Sequence, residues 1–139
     1  MIHVIMGLKG SGKTKKLVDS AHEAIMNATG DVVCIEYGKK LTYELPHRVR
    51  LVDSKEYGIN NSDMLKGLLS GLHAGNFDIT NVYVDNLYKS IGKPIGENAA
   101  MCDEFIAWAE SFAEANNMNL TFTVSDDPAT ASPALTKYL

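Results

Sequence analysis

Arginine is scarce in this sequence, which has only two, Arg48 and Arg50, among its 139 residues. The formal net charge is −4, so the chain as a whole has no excess of positive charge. Proteins that bind nucleic acid usually present a basic face that neutralises phosphates. A broad nucleic-acid-binding surface is therefore not expected, and only a local cluster of lysines would remain as a means of contacting nucleic acid.

Cysteine is equally scarce. The two cysteines, Cys34 and Cys102, each lie within an apolar run, and the sequence has neither a CxxC pair nor the spacing of a zinc site. Disulfides belong to oxidising compartments, whereas free cysteines are commonly buried like small apolar residues. The pattern therefore predicts two buried thiols in a reducing compartment.

Long apolar runs are missing as well. The first run, within Ile2–Met6, ends at the glycine-rich segment, and it is too short for the apolar core of a signal peptide or for a membrane span. We therefore expect a cytoplasmic protein with no membrane partner. The length of 139 residues, with 45% hydrophobic residues, predicts a single domain over residues 1–139 with one core.

Glycine, by contrast, is concentrated at an informative place. A segment that matches G-x-x-x-x-G-K-[ST] at every specified position occupies residues 7–14: Gly7, Leu8, Lys9, Gly10, Ser11, Gly12, Lys13 and Thr14. A short apolar run precedes the segment and a helical pattern of apolar residues follows it. This order of strand, loop and helix is the one in which such a segment binds the phosphates of a nucleotide.

The residue types explain why this segment suits phosphate. Glycines adopt backbone angles that other residues avoid, which lets successive amides turn toward an anion. The helix that follows directs its positive end to the same place. Lys13 is predicted to reach the β and γ phosphates and Thr14 to ligate Mg²⁺. We expect the backbone of the whole segment to contact the nucleotide, and the side chains of Lys9, Lys15 and Lys16 to be solvated.

The remaining chain alternates between strand and helix patterns. Strand patterns occupy Ile2–Met6, Val32–Glu36, Arg48–Val52, Val82–Asp85 and Leu120–Val124. Helices are predicted over Lys13–Asn27, over a segment that follows Asn60–Asp63 and reaches Leu72, and over Asn98–Asn116, with a long loop at 87–98 and a last short helix within 128–139. This order predicts an α/β, three-layer fold with a five-stranded, mainly parallel sheet and helices on both faces.

Polar residues at the ends of the predicted strands are candidates for the chemistry. Asp85 follows an apolar strand, where it could bind the metal ion that accompanies the phosphates. The next residue is Asn86 and not glutamate, so a carboxylate that activates water has to come from elsewhere. Glu36 ends the second strand and is the candidate for that role. Ser125 and Asp126, at the end of the fifth strand, are candidates for contact with the phosphate or the water.

With these parts in order, the chain resembles the RecA-like branch of the P-loop NTPase superfamily and looks like a minimal core of that type. The glycine-rich segment is the specific motif in the resemblance, which otherwise depends on the order of the strands. The resemblance implies ATP and Mg²⁺ as ligands, Glu36 as the catalytic carboxylate, Asp85 as the metal-binding aspartate and Ser125 as a polar sensor. It also implies that the fifth strand lies between the first and the fourth.

Three functions are compatible with these residues. The first is an ATPase that hydrolyses ATP slowly or on assembly, with a positive finger from Arg48, Arg50, Lys89, Lys93 or a neighbouring copy of the chain, which makes a homo-oligomer conceivable. The second is a nucleoside or nucleotide kinase, which the scarcity of arginine disfavours. The third is a non-catalytic, ATP-dependent binding module. The chain has no N/T-K-x-D motif for guanine, so ATP is preferred to GTP.

Overall fold

The computed structural model describes residues 1–92 and 99–139. Within these ranges the strands are β1 (Ile2–Gly7), β2 (Asp31–Glu36), β3 (Val49–Asp53), β4 (Ile79–Asp85) and β5 (Asn119–Ser125). The α-helices are α1 (Lys13–Asn27), α2 (Ser62–Gly75), α3 (Leu87–Ser90), α4 (Ala99–Asn116) and α5 (Pro133–Thr136). The predicted helix start at Asn98 and the candidate finger Lys93 lie outside the described residues.

The five strands form one sheet with the order β1-β5-β4-β2-β3, and every pair of neighbours is parallel. The predicted α/β class and five-stranded parallel sheet are therefore confirmed, with parallel pairing throughout the described strands. The fifth strand lies between the first and the fourth, which is the order that the resemblance implied. Parallel strands need crossover connections, and these place the helices on the faces of the sheet.

Both faces of the sheet are covered by apolar side chains. On one face, Leu17 and Ala21 of α1 pack with Cys34 and Tyr83. The opposite face is covered by α2 and α4, whose apolar residues form a second cluster with alternate strand positions: Leu65, Leu69, Phe105, Val33, Val82 and Phe122. Burial on both faces accounts for the unbroken apolar runs at 32–35 in β2 and at 82–84 in β4.

Several element boundaries differ from the predicted ones. β3 runs over Val49–Asp53, one residue later than expected, and β4 begins at Ile79 because that side chain is buried in the core. The predicted loop at 87–98 contains α3, which begins where Asn86 Oδ1 accepts a hydrogen bond from the Tyr88 amide. The final segment has a 3-10 helix over Pro128–Thr130 followed by the short α5 instead of one helix, and the side chains of Asp127 and Ser132 cap the two turns separately.

The two cysteines are free and buried, as their apolar surroundings predicted. In the described parts of the chain, no helix combines the length and the apolar character that crossing a membrane requires.

The Phe105 side chain at the centre of the α4 face provides a test of this core. Phe105 is fully buried, and its ring meets the Phe122 ring edge-on at a centroid distance of 5.5 Å. We expect Phe105→Ala to lower the free energy of unfolding by ~3–5 kcal/mol, because the lost contacts leave a cavity. Urea denaturation measures this loss. Phe77→Ala is the control, because Phe77 is 78% exposed; equal losses in the two variants would contradict the described core.

Candidate functional site

The carboxyl ends of the parallel strands meet at one edge of the sheet. In the strand register, Gly7 of β1 lies opposite Ser125 of β5, and Glu36 of β2 lies opposite Asp85 of β4. A cavity of about 230 Å³ opens at this edge. Its lining combines the glycine-rich segment with the polar ends of three other strands: Lys9, Gly10, Lys13, Thr14, Glu36, Lys40, Leu41, Asp85, Asn86, Lys89 and Ser125.

The glycine-rich segment owes its shape to glycines at defined positions. Gly10 and Gly12 have φ angles of 84° and 87°, in the left-handed region that residues with a Cβ avoid. Gly7 is constrained differently, because a Cβ there would collide with the Ser11 side chain. The segment thus leads directly from β1 into α1, whose first residue is Lys13.

Two side chains of α1 reach the cavity. The Lys13 ammonium donates a hydrogen bond to the Leu8 carbonyl oxygen at 3.1 Å, so the lysine folds back over the glycine-rich segment. Thr14 Oγ1 donates to Asp85 Oδ2 at 3.4 Å. The structure therefore brings together Lys13, Thr14 and Asp85, which are the three side chains that sequence analysis assigned to phosphates and metal.

Asp85 is held by a further residue that sequence analysis missed. Thr123 of β5 is fully buried, and its Oγ1 donates a hydrogen bond of 2.5 Å to Asp85 Oδ1. Each carboxylate oxygen of Asp85 thus accepts from a threonine, and this fixes the orientation of the group. The signal in the sequence was the alternation of threonine with apolar residues in β5, where Thr121 and Thr123 share the face toward α1.

Asn86 connects β4 to β5. Its Nδ2 donates to Ser125 Oγ at 2.6 Å, while its Oδ1 caps α3 through the Tyr88 amide at 3.0 Å. Both Asn86 and Ser125 line the cavity. Asp126, the other predicted candidate on this strand end, is not among the lining residues, and its Oδ1 accepts from the Asp127 amide at 2.8 Å.

Glu36 lines the cavity, but its carboxylate also supports the loop after β2. Oε1 accepts from the Lys40 amide at 2.8 Å, and Oε2 accepts from the Leu41 amide at 3.0 Å. Only 3% of the residue is exposed. Burial raises the pKa of the Glu36 carboxyl above its ordinary value, because desolvation penalises the charged form. The two amide hydrogen bonds and the positive charge of Lys40 oppose this shift, and the negative charge of Asp85 adds to it.

The positive side chains at the cavity are lysines. Lys9, Lys13, Lys40 and Lys89 line it, and Lys40 was not considered a candidate from the sequence. The predicted fingers Arg48 and Arg50 do not line it. Arg48 precedes β3 and Arg50 is the second residue of that strand, so both lie toward the opposite edge of the sheet. A positive group from within the described chain would therefore be a lysine.

The oxygen donors at the cavity fit a cation that is held mainly by the phosphates of a bound nucleotide and only in part by the protein. No group of three or more His, Cys, Asp or Glu side chains suited to a metal ion occurs among residues 1–92 and 99–139. Within the cavity, the Thr14 hydroxyl lies next to the Asp85 carboxylate. Mg²⁺ is commonly held by one or two protein oxygens together with phosphate oxygens and water, so this pair fits that ion.

Comparison of the sequence with models of protein families and with curated proteins gives no significant match. The function is therefore inferred from the residues at this edge of the sheet.

The raised pKa of Glu36 predicts a specific dependence of stability on pH. The folded chain binds a proton at Glu36 more tightly than the unfolded chain, so ionisation of this group lowers stability as pH rises past a glutamate's ordinary pKa of about 4.3. The Glu36→Gln variant lacks this ionisable carboxyl group. We expect the free energy of unfolding of the original protein, minus that of Glu36→Gln, to fall as pH rises.

Urea denaturation of both proteins between about pH 4 and 7 measures this difference. Glu114→Gln, at an exposed position of α4, controls for the loss of one surface carboxylate. A difference for Glu36→Gln that stays constant or increases with pH would contradict the described environment of Glu36.

Proposed function

We propose that this protein is a P-loop nucleoside-triphosphate-binding protein that binds Mg-ATP and hydrolyses it slowly or on assembly, in a RecA-like arrangement. The observation that carries the proposal is that the glycine-rich segment, with Lys13 and Thr14 at its end, meets Asp85 of β4 at one cavity. Asp85 comes from β4, which is far from residues 7–14 in sequence. A glycine-rich turn without a ligand would require neither the aspartate nor the threonine beside it.

The cavity suits the phosphates better than the whole nucleotide. Its volume of about 230 Å³ lies below the range of ~300–1,000 Å³ that is typical of sites for complete small ligands. In the proposal, the phosphate chain enters the cavity and the nucleoside stays outside. The amides of the glycine-rich segment and the amino end of α1 donate to phosphate oxygens. Lys13 exchanges its hydrogen bond to the Leu8 carbonyl for the β and γ phosphates.

Thr14 and Asp85 would hold the metal ion together with the phosphates. When bound there, Mg²⁺ supplies charge neutralisation at the phosphate oxygens. The Thr123 hydroxyl keeps the Asp85 carboxylate in place, since it occupies the oxygen that does not face Thr14. The residues of the chain therefore offer a prearranged oxygen pair, which reduces the cost of ordering ligands when the nucleotide binds.

Hydrolysis forms a bond between a water oxygen and the γ phosphorus and breaks the bond to the β–γ bridging oxygen, which releases ADP and inorganic phosphate. Glu36 is the proposed acceptor for the proton of that water. A carboxylate has about four acceptor sites, so two amide hydrogen bonds leave room for one from water. Its raised pKa brings it closer to neutral pH, where a general base is more effective. Ser125, held by Asn86, is the proposed contact to the γ phosphate.

A second candidate is an ATP-dependent binding module without turnover. The observation that favours it is that both carboxylate oxygens of Glu36 already accept hydrogen bonds from the backbone amides of Lys40 and Leu41. Under this alternative, Glu36 is structural, and ATP acts as a ligand that changes the surface of the protein.

Removal of the Lys13 side chain tests nucleotide binding. We expect Lys13→Ala to weaken ATP binding roughly 10- to 150-fold, because hydrogen bonds to charged groups contribute ~1.5–3 kcal/mol. Isothermal titration calorimetry with Mg²⁺ measures the affinity. Lys15→Ala is the matched control, since Lys15 lies on the same helix and forms an exposed ion pair with Asp19. Unchanged ATP binding by Lys13→Ala would overturn the proposal.

Phosphate release separates the candidate functions. We expect slow release of inorganic phosphate from Mg-ATP, and a decrease of about 100-fold or more in Glu36→Gln if Glu36 takes the proton from water. A colorimetric phosphate assay at several protein concentrations measures both. Equal rates in the two proteins would exclude Glu36 as the base. Tight binding without turnover would identify the binding module, and transfer of the γ phosphate to a nucleoside would identify a kinase.

A further inference from the structure

Lys40 lies at the cavity although it is not part of the glycine-rich motif. It follows β2, in a segment that leads over the face covered by α1, and it lines the same cavity as Lys13, Thr14 and Asp85. It forms no salt bridge with any residue in the two described ranges, whereas the neighbouring Lys39 pairs with Glu56 at 3.4 Å. Two adjacent lysines therefore have different surroundings, and of the two only Lys40 lines this cavity.

The backbone of Lys40 is held in place from two sides. Its amide donates to Glu36 Oε1, and the next amide, that of Leu41, donates to Oε2. The Leu41 side chain is 2% exposed and packs in the cluster that contains Leu17 and Ala21 of α1. Lys40 thus projects from a fixed backbone, so little conformational entropy beyond that of its own side chain is lost when it binds an anion.

The order of strands determines which phosphate Lys40 would meet. The glycine-rich segment lies at the end of β1, whereas Lys40 follows β2, and β5 and β4 separate these strands in the sheet. A phosphate chain held at β1 by the amides extends over Asp85 toward β2. The cavity is too small to contain the nucleoside as well, and with the nucleoside outside on the side of the glycine-rich segment, the phosphate nearest β2 is the terminal one.

From these observations we infer that Lys40 contacts the terminal phosphate of the bound nucleoside triphosphate, and that Glu36 is the positioning residue that holds Lys40 there. The inference depends on the proposed function and adds a determinant of selectivity: Lys40 makes the site distinguish a triphosphate from a diphosphate. Lys13, which reaches the β phosphate as well, would contribute to the binding of both.

Affinities for ATP and ADP test the role of Lys40 without any need for turnover. With the full chain and Mg²⁺, we expect Lys40→Ala to weaken ATP binding about tenfold and ADP binding less than about twofold. Lys40→Arg, which keeps the charge, should restore most of the ATP affinity. Lys39→Ala is the matched control and should change neither affinity. Retained ADP affinity also shows that each variant is folded.

The outcomes separate this inference from the proposed function. If the original protein binds neither nucleotide, both fail. If it binds ATP but Lys40→Ala leaves the ratio of ATP to ADP affinity unchanged, the inference alone is overturned. An equal loss in Lys39→Ala and Lys40→Ala would attribute the effect to general surface charge and would also overturn it.

The Glu36→Gln variant tests the positioning role, because loss of the negative charge and loss of the positioning contacts are expected to change ATP affinity in opposite directions. Removal of a negative charge beside the phosphates should by itself strengthen ATP binding. In glutamine, however, an NH2 donor replaces one of the two acceptor oxygens and would face a backbone N–H, so the present pair of hydrogen bonds is not kept. We expect ATP affinity in Glu36→Gln to fall several-fold, and the double variant with Lys40→Ala to be no weaker than Lys40→Ala alone. An increase in ATP affinity would exclude the positioning role.

Discussion

The parallel pairing of all five described strands is the constraint on which the candidate site depends. Because every strand runs in the same direction, the carboxyl ends of β1, β2, β4 and β5 come together at one edge of the sheet. The register then sets Gly7 beside Ser125 and Glu36 beside Asp85, although the members of these pairs are far apart in sequence. An antiparallel strand in the middle of this sheet would carry its last residue to the opposite edge.

Burial on both faces explains why the polar residues of these strands are concentrated at their ends. A side chain in the middle of β2 or β4 contacts either α1 or the helices of the opposite face, so apolar residues are required there. Two polar residues within the sheet show how a buried hydroxyl is paired. Thr123 is fully buried and donates to Asp85, and Tyr83 reaches Ser20 of α1 through a hydrogen bond of 3.0 Å to its carbonyl oxygen. Hydrogen bonds of this kind offset the cost of burying a hydroxyl group.

Sequence patterns predicted the features that depend on neighbouring residues. The five strands, the three longer helices and the grouping of Lys13, Thr14 and Asp85 at one edge follow from local apolar patterns, glycine positions and the rule for parallel sheets. The P-loop family and the nucleotide remain predictions. Features that depend on residues distant in sequence were missed: Thr123 behind Asp85, and the clamp of Glu36 on the amides of Lys40 and Leu41. Both features can be recognised only in the folded structure, because a threonine in a strand or a lysine in a loop is too common in sequences to indicate such a contact.

The glycine-rich segment has a consequence for how the sequence could change during evolution. A β-carbon at position 7 is excluded because the Ser11 side chain occupies that space, so a change of Ser11 to glycine would make room for it. At Gly12 no atom of another residue lies in the way, and the obstacle is its own φ of 87°. Positions 7 and 11 are therefore expected to covary among descendants of this sequence. At position 12, no change in a neighbouring residue could compensate for a substitution, so we expect glycine to be kept there whatever the neighbouring residues are.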